Sequence, residues 1–178
     1  YITDWGVHFV DVVQWSLGMD GSCPVEVTVR EQSRRLEGIY SAPESFDIQY
    51  RYANGVTMRL FSTEDTAMWG VKFIGSEGWL YSEGKRMEAK SPSLLETKLS
   101  QGDTRLYVSS HHHRNFIDCV YSREDPVVSV ETGHRSATAC YLGAIAAEVG
   151  GTLEFDPAKE RFTNSEVANG HLMRTMHG

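Results

Sequence analysis

The chain opens with a stretch in which apolar residues recur at helical spacing. In "TDWGVHFVDVVQWSLG" the apolar positions fall three or four residues apart, and Gly18 follows as a stop signal. We therefore predict an amphipathic helix at the start of the chain. Its more buried side is expected to comprise Trp5, Phe9, Val12, Val13 and Ser16, with Leu17 in register. A second face of the same helix carries Asp4, His8, Asp11 and Trp15.

From Pro24 onward the apolar period changes from helical spacing to two. "VEVTVR" alternates, and "FDIQYRYANGVTMRLF" places two alternating runs around Asn54-Gly55, a pair favoured in tight primed hairpin turns. Short strands broken by Gly75, Gly78 and Gly84 follow. The middle of the chain is therefore predicted to form one open antiparallel sheet. The segment 34–45 between two of its strands is predicted to be a loop, with solvated charges at 34–37.

The helical period returns after Ser109. "SSHHHRNFIDCVYSRE" predicts an amphipathic helix with a serine cap and an inward side made of Phe116, Ile117, Cys119 and Val120. "ETGHRSATACYLGAIAAEVGG" predicts a second helix, and a strand, a turn and a short helix near Asn164 complete the chain. The order indicates an α+β fold with an open, mainly antiparallel sheet, helices packed on one face, and a single domain over residues 1–178.

Composition and charge narrow the class of protein. The 178 residues carry a formal net charge of -7, which argues against nucleic acid or an anionic membrane as partner. Three cysteines without C-x-x-C spacing give no disulfide framework, and Cys119 and Cys140 are expected to be buried. We expect a cytoplasmic protein. Because the chain lacks an initiator methionine, we also expect a preceding N-terminal part that would carry any targeting signal.

The polar face of the first helix offers acid–base chemistry. Asp4 and His8 are four residues apart, so a carboxylate lies beside an imidazole and can orient it as a general base. The alternative is structural: Asp4 would cap the helix and interact favourably with its dipole.

Three further features have both a functional and a structural interpretation. The tract His111 to His113 is expected to combine helix capping with one imidazole facing a pocket; metal binding is the alternative. Trp69 either stacks on a sugar ring or packs in a core or a dimer interface. A cluster at the start of the second predicted helix either contacts an anion or substrate, or ties that helix to the sheet by capping and ion pairs; its members are Glu131, His134, Arg135 and Ser136.

Several blocks of this sequence, in the same order, resemble the Gfo/Idh/MocA oxidoreductases, the family of glucose-fructose oxidoreductase and inositol dehydrogenase. The first block is Asp4-x-x-x-His8 followed by Asp11 and "QWSLG". The second runs from His112 to Ala146, and the third, from Leu153 to Asn169, resembles the bacterial-type branch. "YANGVTM" and "FIGSEGWL" fit the sheet between them, so the resemblance extends over nearly the whole chain.

The resemblance implies a two-domain enzyme of which this chain is the second half. Family members have an N-terminal Rossmann domain that binds NAD or NADP and supplies a lysine, followed by an α+β domain. The residue matching His8 takes the hydroxyl proton as hydride leaves the same carbon for the nicotinamide, and the residue matching Asp4 binds substrate or orients the histidine. His112 stands where the family pattern has a histidine ahead of Asn-Phe, and we expect it to contact substrate together with Asp11 and Trp69. The open sheet face implies a homodimer or homotetramer.

This chain lacks the parts of the family that bind the dinucleotide. No G-x-G-x-x-G follows a strand, and no Glu-Lys-Pro motif is present. We therefore expect no bound cofactor and no turnover from this chain alone. The leading hypothesis is the substrate-binding half of a dehydrogenase that acts on a sugar, polyol or cyclitol. One alternative is a non-catalytic dimerisation or ligand-binding module of the same fold. The other is a metal-dependent hydrolase that uses the histidines.

Overall fold

The computed structural model describes residues 1–34, 42–64 and 69–173. They form two compact units, Tyr1–Thr66 with His134–Gly178 and Ala67–Gly133. The elements in chain order are α1 (Trp5–Ser16), β1 (Glu26–Arg34), β2 (Pro43–Arg51), β3 (Thr57–Phe61), β4 (Val71–Ile74), β5 (Trp79–Glu83), β6 (Arg86–Ala89), α2 (Pro92–Leu95), α3 (His112–Ser122), α4 (Val130–Val149), β7 (Thr152–Asp156), β8 (Arg161–Phe162) and α5 (Glu166–Gly170). Of the predicted loop at 34–45, residues 35–41 lie outside the described residues, whereas Arg34 and residues 43–45 belong to β1 and β2 and are not a loop.

The first unit is built on an antiparallel sheet of five strands in the order β3-β2-β1-β7-β8. Along β2, Phe46, Ile48 and Tyr50 are buried in turn, and their side of the sheet packs with residues of α1 and α4 in one hydrophobic core. The opposite face carries exposed ion pairs, among them Arg51 with Glu26. This architecture confirms the predicted α+β fold, whereas assembly of copies through the open face remains a prediction.

The prediction of one sheet from the middle of the chain is wrong. Strands β4, β5 and β6 form a separate three-stranded antiparallel sheet in the second unit. The place beside β1 is taken by β7, which pairs Leu153 with Val27. Alternating patterns identify strands, but they do not determine which strands pair when the partners are far apart in sequence.

The buried side of α1 differs from the one predicted. Its buried residues are Gly6, Val10 and Gln14. Of the predicted side, Val13 and Leu17 are half-buried and pack against the core, whereas Trp5 is 50% exposed and Ser16 is exposed as well. The helix approaches β3 at Gly6, where an added Cβ would lie 3.4 Å from a methyl carbon of Leu60. The spacing of apolar residues does not predict this buried side, because the close contact is made by Gly6 and because the polar residue Gln14 is buried.

Gln14 is buried because it satisfies several polar groups at once. Its Oε1 accepts a hydrogen bond from the Tyr52 hydroxyl at 2.6 Å, and its Nε2 donates to the Ser22 carbonyl oxygen at 2.8 Å. A longer bond of 3.3 Å goes to the carbonyl oxygen of Met19. Gln14 therefore links the segment that follows α1 to Tyr52, the first residue after β2.

Two neighbouring tyrosines give a matched test of this network. We expect Tyr52→Phe to lower the free energy of unfolding by about 1–3 kcal/mol, because it leaves the buried amide oxygen of Gln14 without a donor. Tyr50→Phe should be neutral or stabilising, since no described residue hydrogen-bonds the buried Tyr50 hydroxyl. Urea unfolding of both variants compares them, and equal losses would contradict the assignment.

The β2–β3 hairpin is confirmed, but its turn is not the predicted primed type. The Gly55 N–H donates to the Tyr52 carbonyl oxygen, so Ala53 and Asn54 are the central residues. Among these residues only Gly55 has a positive φ, of 86°. A type I turn followed by a left-handed glycine needs one glycine, whereas the primed turn would also place Asn54 at positive φ.

The second unit contains β4–β6, α2 and α3. The helix α3 begins at His112, and its cap is His111, whose ring accepts a hydrogen bond from the Arg114 N–H at 3.2 Å, rather than the predicted serine. The predicted inward side is wrong, since none of the residues of α3 is buried. Amphipathic spacing identifies a helix without determining what covers its apolar face. The exposed apolar side chains of α3 are Phe116, Ile117, Val120 and Tyr121.

The three cysteines differ in burial. Cys23 and Cys140 are buried, and Cys119 is only partly buried, which corrects its predicted burial. Burial raises the pKa of the Cys23 thiol to about 11. Burial, together with the charge of Asp11, raises that of Cys140 to about 12.

We expect iodoacetamide at pH 8 to label the native chain once, at Cys119, because the two buried thiols are protonated and inaccessible. Intact mass measures the number of labels. The Cys119→Ser variant should stay unlabelled until denatured. Labelling of Cys140 as fast as Cys119 would show that the core around α4 opens readily.

Candidate active site

Asp4, His8 and Asp11 lie along α1 and its cap, away from the buried positions Gly6 and Val10. Asp4 and His8 are exposed, and Asp11 is half-buried. Asp4 occupies the N-cap with φ −106° and ψ −93°, and its side chain makes no capping hydrogen bond. Asp4 and His8 form no hydrogen bond with each other in this part of the described chain. The reason is that the cap residue leaves the helical conformation, so its carboxylate does not occupy the preceding-turn position.

The imidazole of His8 lies beside an indole. The ring centroids of Trp5 and His8 are 5.8 Å apart and the rings are inclined by 55°. Both side chains remain accessible to solvent, and Trp15, further along the same helix, is exposed too. This end of α1 therefore presents an imidazole beside an aromatic ring, with carboxylates before and after it.

Asp11 is held by a residue from the other long helix. Its Oδ1 accepts a hydrogen bond of 2.7 Å from the hydroxyl of Ser136 in α4, and Ser136 is only 2% exposed. Sequence reasoning included Ser136 in a polar cluster but missed this partner, since 125 positions separate the two residues. The sequence signal for a polar partner of α4 was a serine at one of its buried positions.

A second carboxyl group, that of Asp20, lies close enough to be affected by the charge of Asp11. Burial, with a smaller contribution from the charge of Asp11, raises the pKa of the Asp20 carboxyl. The Oδ1 atom of Asp20 is buried and has no hydrogen-bond partner among the residues described. Asp20 therefore lies near Asp11, and one of its carboxyl oxygens is shielded from water.

His134 and Arg135 correspond to the ion-pairing interpretation of the cluster at the start of α4. His134 Nε2 lies 2.8 Å from Glu160 Oε1, and Arg135 Nη1 reaches the same oxygen at 3.0 Å. Arg135 also donates to the carbonyl oxygen of Pro157 at 3.2 Å. The hydrogen bond from His134, with the Arg135 charge, lowers the pKa of Glu160. These contacts attach α4 to the turn between β7 and β8.

The other two predicted substrate contacts belong to the second unit. Trp69 is 39% exposed, and its carbonyl oxygen accepts a hydrogen bond of 2.9 Å from the Tyr81 hydroxyl. His112 is exposed at the start of α3, with its ring centroid 4.0 Å from that of His113. Their contact with a substrate stays a prediction.

The sheets differ from the sheet of a Rossmann dinucleotide-binding domain. All strand pairs assigned in residues 1–34, 42–64 and 69–173 are antiparallel, whereas a Rossmann domain is built on parallel strands with a glycine-rich turn before a helix. The same residues contain no group of three or more His, Cys, Asp or Glu side chains placed to hold a metal ion. They also contain no helix with the length and apolar character needed to cross a membrane.

Comparisons with known proteins assign the family. A solved oxidoreductase from Agrobacterium radiobacter, in complex with NAD+, L-tartaric acid and magnesium, has a similar fold, with a TM-score of 0.57 at 17% sequence identity. The similarity covers 86% of this chain and 48% of that one, so this chain spans about half its length. A search of curated proteins gives no significant match. The family model described as "Oxidoreductase family, C-terminal alpha/beta domain" matches residues 1–178, and the chain therefore belongs to the Gfo/Idh/MocA oxidoreductase family.

Proposed function

We propose that this chain is the substrate-binding half of an NAD(P)-dependent oxidoreductase that acts on a hydroxyl group of a sugar, polyol or cyclitol. NAD or NADP would bind to a dinucleotide-binding half of the longer protein, because this sequence has no G-x-G-x-x-G turn after a strand. Assembly as a homodimer or homotetramer through the open sheet face, in the cytoplasm, belongs to the same proposal.

One observation carries this proposal: an accessible imidazole stands on α1 between two carboxylates. His8 is exposed, Asp11 follows it by three residues in the same helix, and Asp4 is the N-cap residue four positions before it. Residues three or four apart on a helix are neighbours at about 5–6 Å between Cβ atoms. A hydroxyl that meets His8 therefore meets at least one carboxylate acceptor as well.

The chemistry follows from the residue types. Oxidation of an alcohol requires loss of the hydroxyl proton, and a neutral imidazole in contact with solvent can accept it and release it. Asp11 and Asp4 accept hydrogen bonds from neighbouring hydroxyl groups of a polyol, which orients the ring or chain of the substrate. Trp5, beside the imidazole, offers an apolar face for the carbon skeleton.

The test uses the full-length, gene-encoded protein. It is incubated with NAD or NADP and a panel of sugars, polyols and cyclitols while the absorbance of the reduced nicotinamide is followed. We expect turnover with at least one member of the panel, and none from the 178-residue chain alone. Absence of turnover together with absence of nicotinamide binding would contradict the proposal and favour a non-catalytic module.

A further inference from the structure

The contact between Ser136 and Asp11 connects the interior of the fold to the candidate site. Ser136 lies on the buried side of α4, while Asp11 lies at the edge of the exposed face of α1. The bond of 2.7 Å between Ser136 Oγ and Asp11 Oδ1 has the usual length of a hydrogen bond donated by a hydroxyl group.

The direction of the Ser136 hydroxyl is informative. A serine inside a helix commonly donates to the carbonyl of the preceding turn of its own helix. Here the hydroxyl donates to a side chain of a different helix. The preceding residue, Arg135, attaches α4 to Pro157 and Glu160, so the backbone that carries Ser136 is fixed on its other side.

The two oxygens of the Asp11 carboxylate differ in their hydrogen bonds. Oδ1 is occupied by Ser136, and Oδ2 has no hydrogen-bond partner in the described parts of the chain. We propose that Ser136 is a positioning residue, which holds Asp11 so that Oδ2 is left to accept a hydrogen bond from a substrate hydroxyl next to His8. This inference rests on the proposed function, since it requires that Asp11 binds substrate.

A purely structural role for the bond makes a different kinetic prediction. If Ser136 only attached α4 to α1, its loss would reduce the amount of folded enzyme, so kcat would fall at unchanged KM. If Ser136 positions a binding carboxylate, its loss weakens substrate binding, so KM rises while kcat is kept. The two roles are therefore separated by the kinetic constants, measured well below the unfolding temperature.

The experiment compares Ser136→Ala, Asp11→Ala and the double variant in the full-length protein, with the substrate identified in the panel. We expect Ser136→Ala to raise KM roughly tenfold, the factor for losing one hydrogen bond to a charged group, with kcat within about twofold of wild type. The double variant should match Asp11→Ala, because Ser136 acts through that carboxylate. Cys140→Ala, one turn further along the buried side of α4, is the control and should leave KM unchanged.

Several outcomes would overturn the inference. A fall in kcat at constant KM, or effects of the two single variants that add in the double variant, would assign Ser136 a structural role. If Ser136→Ala fails to fold, Ser136→Cys replaces it, since a thiol is only a weak donor and should raise KM similarly. Unchanged turnover in Asp11→Ala would contradict the positioning role of Ser136 but not the proposed function. Turnover absent in the wild type contradicts the proposed function, and this inference with it.

Discussion

Replacement of His8 with alanine is expected to lower kcat/KM of the full-length protein by about 10²–10⁴-fold, the usual contribution of a general acid–base group. The side chain is exposed, and its ring contact within the described residues is with Trp5. Exposed substitutions of this kind usually change the free energy of unfolding by less than about 0.5 kcal/mol. The unfolding temperature should therefore stay close to that of the wild type while activity falls.

Two controls make this prediction specific to proton transfer. His171→Ala removes another exposed imidazole of the same unit, after α5, and should leave turnover unchanged. Because the position of His8 is open to solvent, added imidazole should restore part of the activity of His8→Ala. Rescue that depends on the concentration of the neutral imidazole, measured across pH, identifies the missing group as the base.

Other results would assign His8 a different role. Full activity in His8→Ala would remove it from the chemistry and leave Asp4 or Asp11 as the candidate base. A rise in KM with kcat unchanged would make His8 a binding residue. A large fall in unfolding temperature would mean that the imidazole supports the start of α1, and the activity loss would then carry no information about catalysis.

The second large effect is expected from Gly143→Ala, which should lower the free energy of unfolding by about 1–3 kcal/mol. Gly143 is buried in α4, and an added Cβ would overlap the Tyr50 hydroxyl oxygen and lie 3.1 Å from the Tyr50 Cζ and 3.3 Å from the Ile48 Cδ1. Tyr50 is fully buried in β2, so its ring cannot move aside without disturbing the core. The absence of a side chain at Gly143 is what lets α4 lie close to the sheet.

The same substitution in the same helix supplies the control. Gly133, near the start of α4, has no described atom within 4 Å of the position of an added Cβ apart from its chain neighbours and the nearby backbone of its own helix. Gly133→Ala should therefore stabilise the protein by up to about 1 kcal/mol through helix propensity alone. Denaturant unfolding measures both variants. Adding Tyr50→Phe to Gly143→Ala should recover part of the loss, since it removes the overlapping oxygen; no recovery would place the strain elsewhere.

The spacing of apolar residues predicted most of the individual elements. Helices α1 and α4 were expected from their periodicity, and Gly150 and Gly151, with φ of 81° and 75°, end α4 where predicted. The hairpin at Asn54-Gly55 was also predicted, because both arms and the turn lie within one short stretch. Each of these features depends on residues close together in sequence, which is the information that a pattern holds.

The candidate site was only partly predictable. His8 and Asp11 share α1, so their proximity followed from helical spacing, and Asp4 precedes them as the N-cap residue. The cap conformation of Asp4 and the donor to Asp11 did not, because the first depends on the local entry of the chain and the second on a contact across 125 positions. The burial of Gln14 escaped prediction for the same reason, since its partner Tyr52 lies in another element.

The sequence by itself therefore determined the α+β class, the positions of the main helices and strands, and the helix that carries the imidazole and its carboxylates. Only the tertiary structure decided that β7 rather than a middle strand pairs with β1, that the strands divide between two sheets, and that Ser136 holds Asp11. The physical reason is the range of the interactions: backbone propensity and periodicity act within a few residues. Strand pairing, close packing and buried hydrogen bonds depend on which distant residues come together in the folded chain.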